Sequence, residues 1–235
     1  MINQKRIFLT NMSKKIRHTG QKYLNLPYVL PDYPFDYCYL MWKLRSYRSP
    51  RDKITRMLRK GEIIRIKKGL YTCSPAYGGK ISRKTIANLI YGPSYISLDY
   101  ALQYWGLIPE KVELVTSMTS KRNKMFNTPL GAFSYKYLHH SKFYPGVLLE
   151  KGELGGRGSK TGFFIASQEK AICDRIASVR EIHKAEDIPE YLEWDIRIDM
   201  ELLSLDVQLL HQIEKAYKKK SVTAFVRWYT KHMGA

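Results

Sequence analysis

The stretch that most constrains the fold of this chain lies between residues 36 and 73, where helix starts, helix stops and turn residues follow one another too closely for any long element. Tyr37, Leu40, Met41 and Leu44 stand at i, i+3, i+4 and i+7, which is one apolar face of an amphipathic helix over 36–45 with Asp36 as its cap. Ser49-Pro50-Arg51-Asp52 then supplies an N-cap, a proline at the first helical position and an acid in the first turn. Gly61 ends this second helix after Lys60. Residues 62–66 and 70–73 read as two short strands around Lys67-Lys68-Gly69, where the glycine can take the positive φ of a tight hairpin. Helix, turn, helix, hairpin is the order of a winged helix-turn-helix.

Charge falls on the same part of the chain. Residues 1–90 hold 20 Lys/Arg against 4 Asp/Glu, and residues 91–235 hold 20 against 17, so most of the formal net charge of +19 belongs to the N-terminal third. So large an excess makes a polyanion the first partner to consider. In the second helix Ile54, Met57 and Leu58 share one side at 100° per residue, which turns Lys53, Thr55, Arg56, Arg59 and Lys60 outward. Asp52 is the only acid there. A surface helix that merely faces water mixes signs, whereas a recognition helix in a major groove is cationic, so these residues, with Arg48 and Arg51 near the helix start, are the candidate DNA contacts. Lys67 and Lys68 at the hairpin tip are candidate phosphate contacts, which add affinity but carry no sequence information.

The remaining organisation predicts an α+β chain in three parts: a basic arm and proline-rich connector over 1–34, the winged helix-turn-helix over 35–78, and a mixed α/β region with a helical C-terminal tail over 79–235. The arm over 1–21 is polar and cationic, and Pro27, Pro31 and Pro34 forbid a continuous helix after it. Downstream, Ser82 caps a helix to Ile90, Gly92-Pro93 breaks it, and Ser97 caps another that Gly106 stops. Strands are expected over 113–118, 131–138, 144–149 and 161–166, and Ser167 caps a helix to about Val179. In the tail, Asp187, Asp206 and Ser221 are the expected caps, and Leu202, Leu205, Leu209, Leu210 and Ile213 the helical stripe.

Other chemistries find little support in the residues. Cys38, Cys73 and Cys173 are odd in number and far apart, without a CxxC pair, which indicates neither a disulfide framework nor a zinc knuckle. A reducing, cytoplasmic setting fits. No signal-like apolar run opens the chain, and no stretch of about 18 apolar residues suggests a membrane span. The run from Gly155 to Thr161 lacks the glycines of a GxxxxGK[ST] phosphate loop where Leu154 and Ser159 stand. His139-His140 and the other histidines form no metal-ligand spacing, so no metal site, cofactor or catalytic set is expected. Glu150, Glu169, Lys170 and Asp99 could be assembled into a metal-dependent nuclease, but scattered carboxylates of this kind occur in any globular domain. The 18 tyrosines would offer stacking surfaces to an RNA-binding module, yet they are spread along the chain, as core residues are.

Lys68-Gly69-Leu70-Tyr71, after the helix that ends in Arg59-Lys60-Gly61, resembles the end of the winged helix of AbiEi-type antitoxins from bacterial abortive-infection toxin-antitoxin pairs. A longer block, Gly92-Pro93-Ser94-Tyr95-Ile96-Ser97-Leu98-Asp99-Tyr100-Ala101-Leu102 continuing through Tyr104-Trp105-Gly106-Leu107-Ile108-Pro109-Glu110, is similar to the segment that follows that winged helix. Gly131-Ala132-Phe133-Ser134-Tyr135 and Ser167-Gln168-Glu169-Lys170-Ala171 follow in the family order, so the resemblance covers about residues 35–179. The chain departs from the family in its longer, more basic arm and in Tyr100, where a small residue is common. The resemblance implies a repressor-antitoxin of a type IV system. Its winged helix would bind inverted repeats in its own promoter, with dimerisation on the palindrome. The following domain would counteract a nucleotidyltransferase-like toxin without a stable complex. A stand-alone transcriptional regulator built from the same domains would show the same sequence signals.

Overall fold

The computed structural model describes residues 30–151, 162–180, 182 and 184–233, so the basic arm and the glycine-rich run from Gly155 lie outside the described residues. Local chemistry sets the first elements. Asp36 accepts from the backbone N–H of Tyr39 at 2.7 Å and so satisfies an orphan donor of α1 (Tyr37–Lys43), whose Leu40 is buried together with Leu44. Helix α2 (Pro50–Arg59) starts at its proline, and the chain leaves through Gly61 at φ 67°. Ser49 does not cap with its side chain, however. Its hydroxyl donates to the Asp52 carboxylate at 2.6 Å, so this pair supports the first turn in place of a bond to the backbone.

Strands β2 (Ile63–Lys67) and β3 (Leu70–Cys73) form the hairpin, and Gly69 takes φ 85° in the turn between them. A two-residue strand, β1 (Phe35–Asp36), pairs antiparallel with β3 to complete a sheet of order β1-β3-β2. So short a strand has no alternation for a sequence to display. Phe35, Leu40, Leu44, Ile54, Met57, Ile63, Tyr71 and Cys73 make the core of this unit. Leu30 packs on it, the backbone of Lys80 donates to the Asp32 carbonyl, and the Lys80 ammonium pairs with the Asp32 carboxylate at 3.5 Å. Residues 30–34, expected in the connector, are therefore tied to the unit they precede.

The second, larger unit is α+β. Helix α3 (Arg83–Ile90), capped by the Ser82 hydroxyl, leads into a six-stranded sheet of order β6-β7-β5-β4-β9-β8. Its strands are β4 (Ser94–Ile96), β5 (Val115–Thr119), β6 (Lys124–Thr128), β7 (Gly131–Tyr137), β8 (Val147–Lys151) and β9 (Gly162–Ala166). The β4–β9 and β5–β7 pairs are parallel and the other three antiparallel. Strands β4 and β6 were not expected. The first is three residues long and buried throughout, and the second is an exposed edge strand, so neither shows the period-2 pattern by which strands are recognised. Helices α4 (Leu98–Tyr104), α5 (Gln168–Ala177), α6 (Asp187–Glu190), α7 (Val207–Tyr217) and α8 (Lys220–His232) complete the unit.

The C-terminal helices are not a tail. Leu210, Ile213, Tyr217, Val222, Phe225 and Val226 are buried in one core with α3, β4 and α5, because the apolar stripes of α7 and α8 pack on α5 and on each other. Asp206 caps α7, accepting from Gln208 and Leu209, which leaves Leu202 and Leu205 before the helix and outside its stripe. Ser221 lies within α8 and Asp187 is the first residue of α6, so neither holds the cap position expected of it. Ile66 and Leu70 of the hairpin also join this larger core, so the hairpin has one face in each unit and the expected boundary at 78/79 does not separate two closed cores. Among the described residues no helix is long and apolar enough to cross a membrane.

Candidate nucleic-acid interface

Helix α2 divides into two faces for the reason its spacing predicts. Ile54 and Met57 are buried against α1 and the hairpin, and Leu58 is half-buried beside them. Burial of each large side chain is worth roughly 1.5–3 kcal/mol, so the helix cannot rotate to present another face without losing several kcal/mol. Arg51, Thr55, Arg56, Arg59 and Lys60 are thereby fixed outward and exposed, and Arg48 is exposed in the turn that enters the helix. Asp52, the one acid, is held by Ser49. Among the described residues none of Arg48, Arg51, Arg56, Arg59 and Lys60 is in an ion pair, so their guanidinium and ammonium donors are directed to the outside of the molecule.

Two of the expected contact residues are less open. The Thr55 hydroxyl donates back to the Arg51 carbonyl at 3.1 Å, as hydroxyls in helices often do. Lys53 is half-buried, with its ammonium 5.6 Å from the centre of the Tyr47 ring. The hairpin tip separates its two lysines more sharply. Lys68 is exposed, but Lys67 is half-buried and its ammonium donates to the Ile90 carbonyl at the end of α3. Burial, followed by the nearby charges of Lys121 and Lys124, pushes the Lys67 ammonium below its ordinary pKa. Lys67 is thus a link from the hairpin to the second unit, and a free tip cation is found only at Lys68.

The sequence reading missed Arg65, exposed on β2, and the turn between β5 and β6, which brings Lys121, Arg122 and Lys124 to the surface close to Lys67. The signal was there in Lys121-Arg122-Asn123-Lys124, three cations in four residues without an acid. It lies in the part of the chain where acids nearly balance the bases, and only tertiary structure places this turn beside the hairpin.

Of the residues considered for a nuclease, Glu169, Asp99 and Lys170 are each engaged by other groups of the fold. Glu169 accepts from the backbone N–H of Asp206, Asp99 pairs with Arg175 at 2.8 Å, and Glu150 lies on the edge strand β8. Lys170 is fully buried and faces Asp174 at 3.7 Å. Asp174 also accepts from the hydroxyls of Tyr95 at 3.0 Å, Ser97 at 2.6 Å and Tyr217. Ser97 therefore spends its hydroxyl on Asp174, not on capping α4. Burial holds the Lys170 ammonium below its ordinary pKa against the raising effect of Asp174, and burial pushes the Tyr95 and Tyr217 hydroxyls well up. This polar cluster joins α5 to β4, α4 and α7, and its members are closed to solvent. No group of three or more His, Cys, Asp or Glu that could hold a metal ion occurs among the described residues. No family model and no curated protein matches this chain.

Proposed function

We propose that the unit built on α1, α2 and the hairpin is a winged helix-turn-helix, and that the protein is a DNA-binding transcriptional repressor. The observation that carries this reading is the outer face of α2: exposed cations at 48, 51, 56, 59 and 60, no carboxylate among the described residues taking them up, and a buried face that keeps them outward. Arg51 and Arg56 would read base edges in the major groove, Arg48, Arg59 and Lys60 would flank them, and Lys68 would grip phosphate from the hairpin.

The motif resemblance extends the proposal to an antitoxin of a type IV pair that represses its own promoter and counteracts a nucleotidyltransferase-like toxin. The test is binding of the full chain to the DNA upstream of its own gene, against a scrambled duplex and an RNA of equal length, at two salt concentrations. Retention of the upstream duplex over both competitors is expected, with affinity falling as salt rises. Equal binding to all three would refute the repressor reading. Growth rescue on co-expression with a neighbouring nucleotidyltransferase tests the antitoxin extension separately.

A further inference from the structure

The second unit carries its own cationic surface, and the fold sets it beside the hairpin. Lys67 donates to the Ile90 carbonyl and Lys121 to the Gly92 carbonyl, so two ammoniums converge on one short stretch of backbone from opposite units. Lys121 and Lys124 lie over the Tyr91 ring at 5.4 and 5.7 Å, and Lys124 lies over Phe126 at 5.0 Å. Tyr91 is in turn packed edge-on against Tyr135, whose side chain is buried, so the aromatic floor under these cations is anchored in the core. Arg122 is exposed beside them, and among the described residues Lys121, Arg122 and Lys124 have no carboxylate partner.

An open depression of about 830 Å³ lies over this turn, lined by Tyr91, Ser120, Lys121, Arg122, Asn123 and Tyr137. Like charges gathered this closely repel one another unless an anion is supplied, and Lys121 keeps ammonium donors beyond the one used on Gly92. The patch also lies beside the hairpin, close enough for the Lys67 ammonium to feel the charges of Lys121 and Lys124.

We propose that the β5–β6 turn is a second phosphate grip, which takes the backbone of the same DNA duplex on the flank of the bases addressed by α2. This inference rests on the DNA-binding reading and adds to it a contact from the larger unit. Lys121, Arg122 and Lys124 neutralise phosphates there, and the site lengthens the DNA footprint without adding base preference.

The experiment compares the full-length protein with a Lys121→Ser, Arg122→Ser, Lys124→Ser triple variant, and with Arg122→Ser alone, which removes no packing contact. Affinity is measured over a salt series on the minimal protected duplex and on one extended by about ten base pairs on each side, roughly one helical turn. The expected result is a log–log salt slope shallower by roughly 2–3 for the triple variant and roughly 1 for the single one, at about 0.9 per phosphate contact, on the extended duplex only. Arg56→Ala serves as the reference. If Arg56→Ala loses preference for the upstream sequence while both turn variants keep the wild-type slope, the second grip is refuted and the DNA reading stands. If the wild type shows no preference for its upstream DNA, the DNA reading falls and the inference with it. Losses confined to single-stranded RNA would also overturn the proposal.

Discussion

Asp174 shows at the scale of one residue how costly a buried charge is and what makes it tolerable. Its two oxygens face the Lys170 ammonium and three hydroxyls, and the whole set is closed to solvent. Replacing a partner of a buried pair strands the other charge, at a cost of about 3–5 kcal/mol. Asp174→Ala is therefore expected to lose that much in urea unfolding, and a loss below about 1 kcal/mol would show that the cluster is not holding the core. The pH dependence has a definite sign. Without Asp174, Lys170 loses the main influence that raises its pKa against burial. Between the lowered folded-state pKa of Lys170 and its ordinary unfolded value of about 10.4 the folded state then binds fewer protons than the unfolded state, so the variant's stability rises with pH across that window. A variant whose deficit stays constant up to pH 10 would contradict this account of Lys170.

At the scale of elements, α2 and the hairpin are expected to differ in what they contribute. Arg56→Ala removes a side chain on the outer face of α2, and under the repressor reading it relaxes sequence preference by roughly 1–3 kcal/mol in competition binding. Under the same reading Lys68→Ala removes a phosphate contact from the hairpin tip, so it is expected to weaken all duplexes alike and to lower the salt slope by about 0.9. Uniform losses for both variants would mean that α2 does not read bases. Lys67 behaves differently from either, because its ammonium is committed to Ile90. Lys67→Ala acts on the seam between the two units as well as on the charge of the tip.

At the scale of the whole molecule the larger core dominates, and α7 and α8 contribute eight large buried side chains to it. At roughly 1.5–3 kcal/mol each, their removal costs as much as or more than the 5–15 kcal/mol by which a domain is typically stable. A chain stopped after Asp206 is accordingly expected to lose cooperative unfolding in the larger unit, seen as a broad thermal transition with dye-accessible apolar surface. A sharp transition matching the full chain would show that the two helices are an appendage.

The elements over 36–73 were legible because their signals are local: a carboxylate three residues from the N–H it caps, a proline at a helix start, glycines at Gly61 and Gly69 with positive φ, and an apolar spacing that selects one helix face. The outward placement of Thr55, Arg56, Arg59 and Lys60 on α2 followed from that spacing, whereas Lys53 is half-buried beside Tyr47. What the sequence could not display depends on contacts between distant segments. The strands β1 and β4 are too short to carry a period and β6 is exposed along most of its length, so all three are recognisable only through their pairing partners. Lys67 was legible as a cation at a hairpin tip, but its bond to Ile90 joins residues 23 apart in sequence, and its neighbours Lys121 and Lys124 are farther still. The sequence by itself determined the local helices, the turn and the sign of the charge on α2. Tertiary structure alone decided which cations are free and which are tied, and it placed the C-terminal helices in the core, because burial and charge proximity depend on distance in space rather than along the chain.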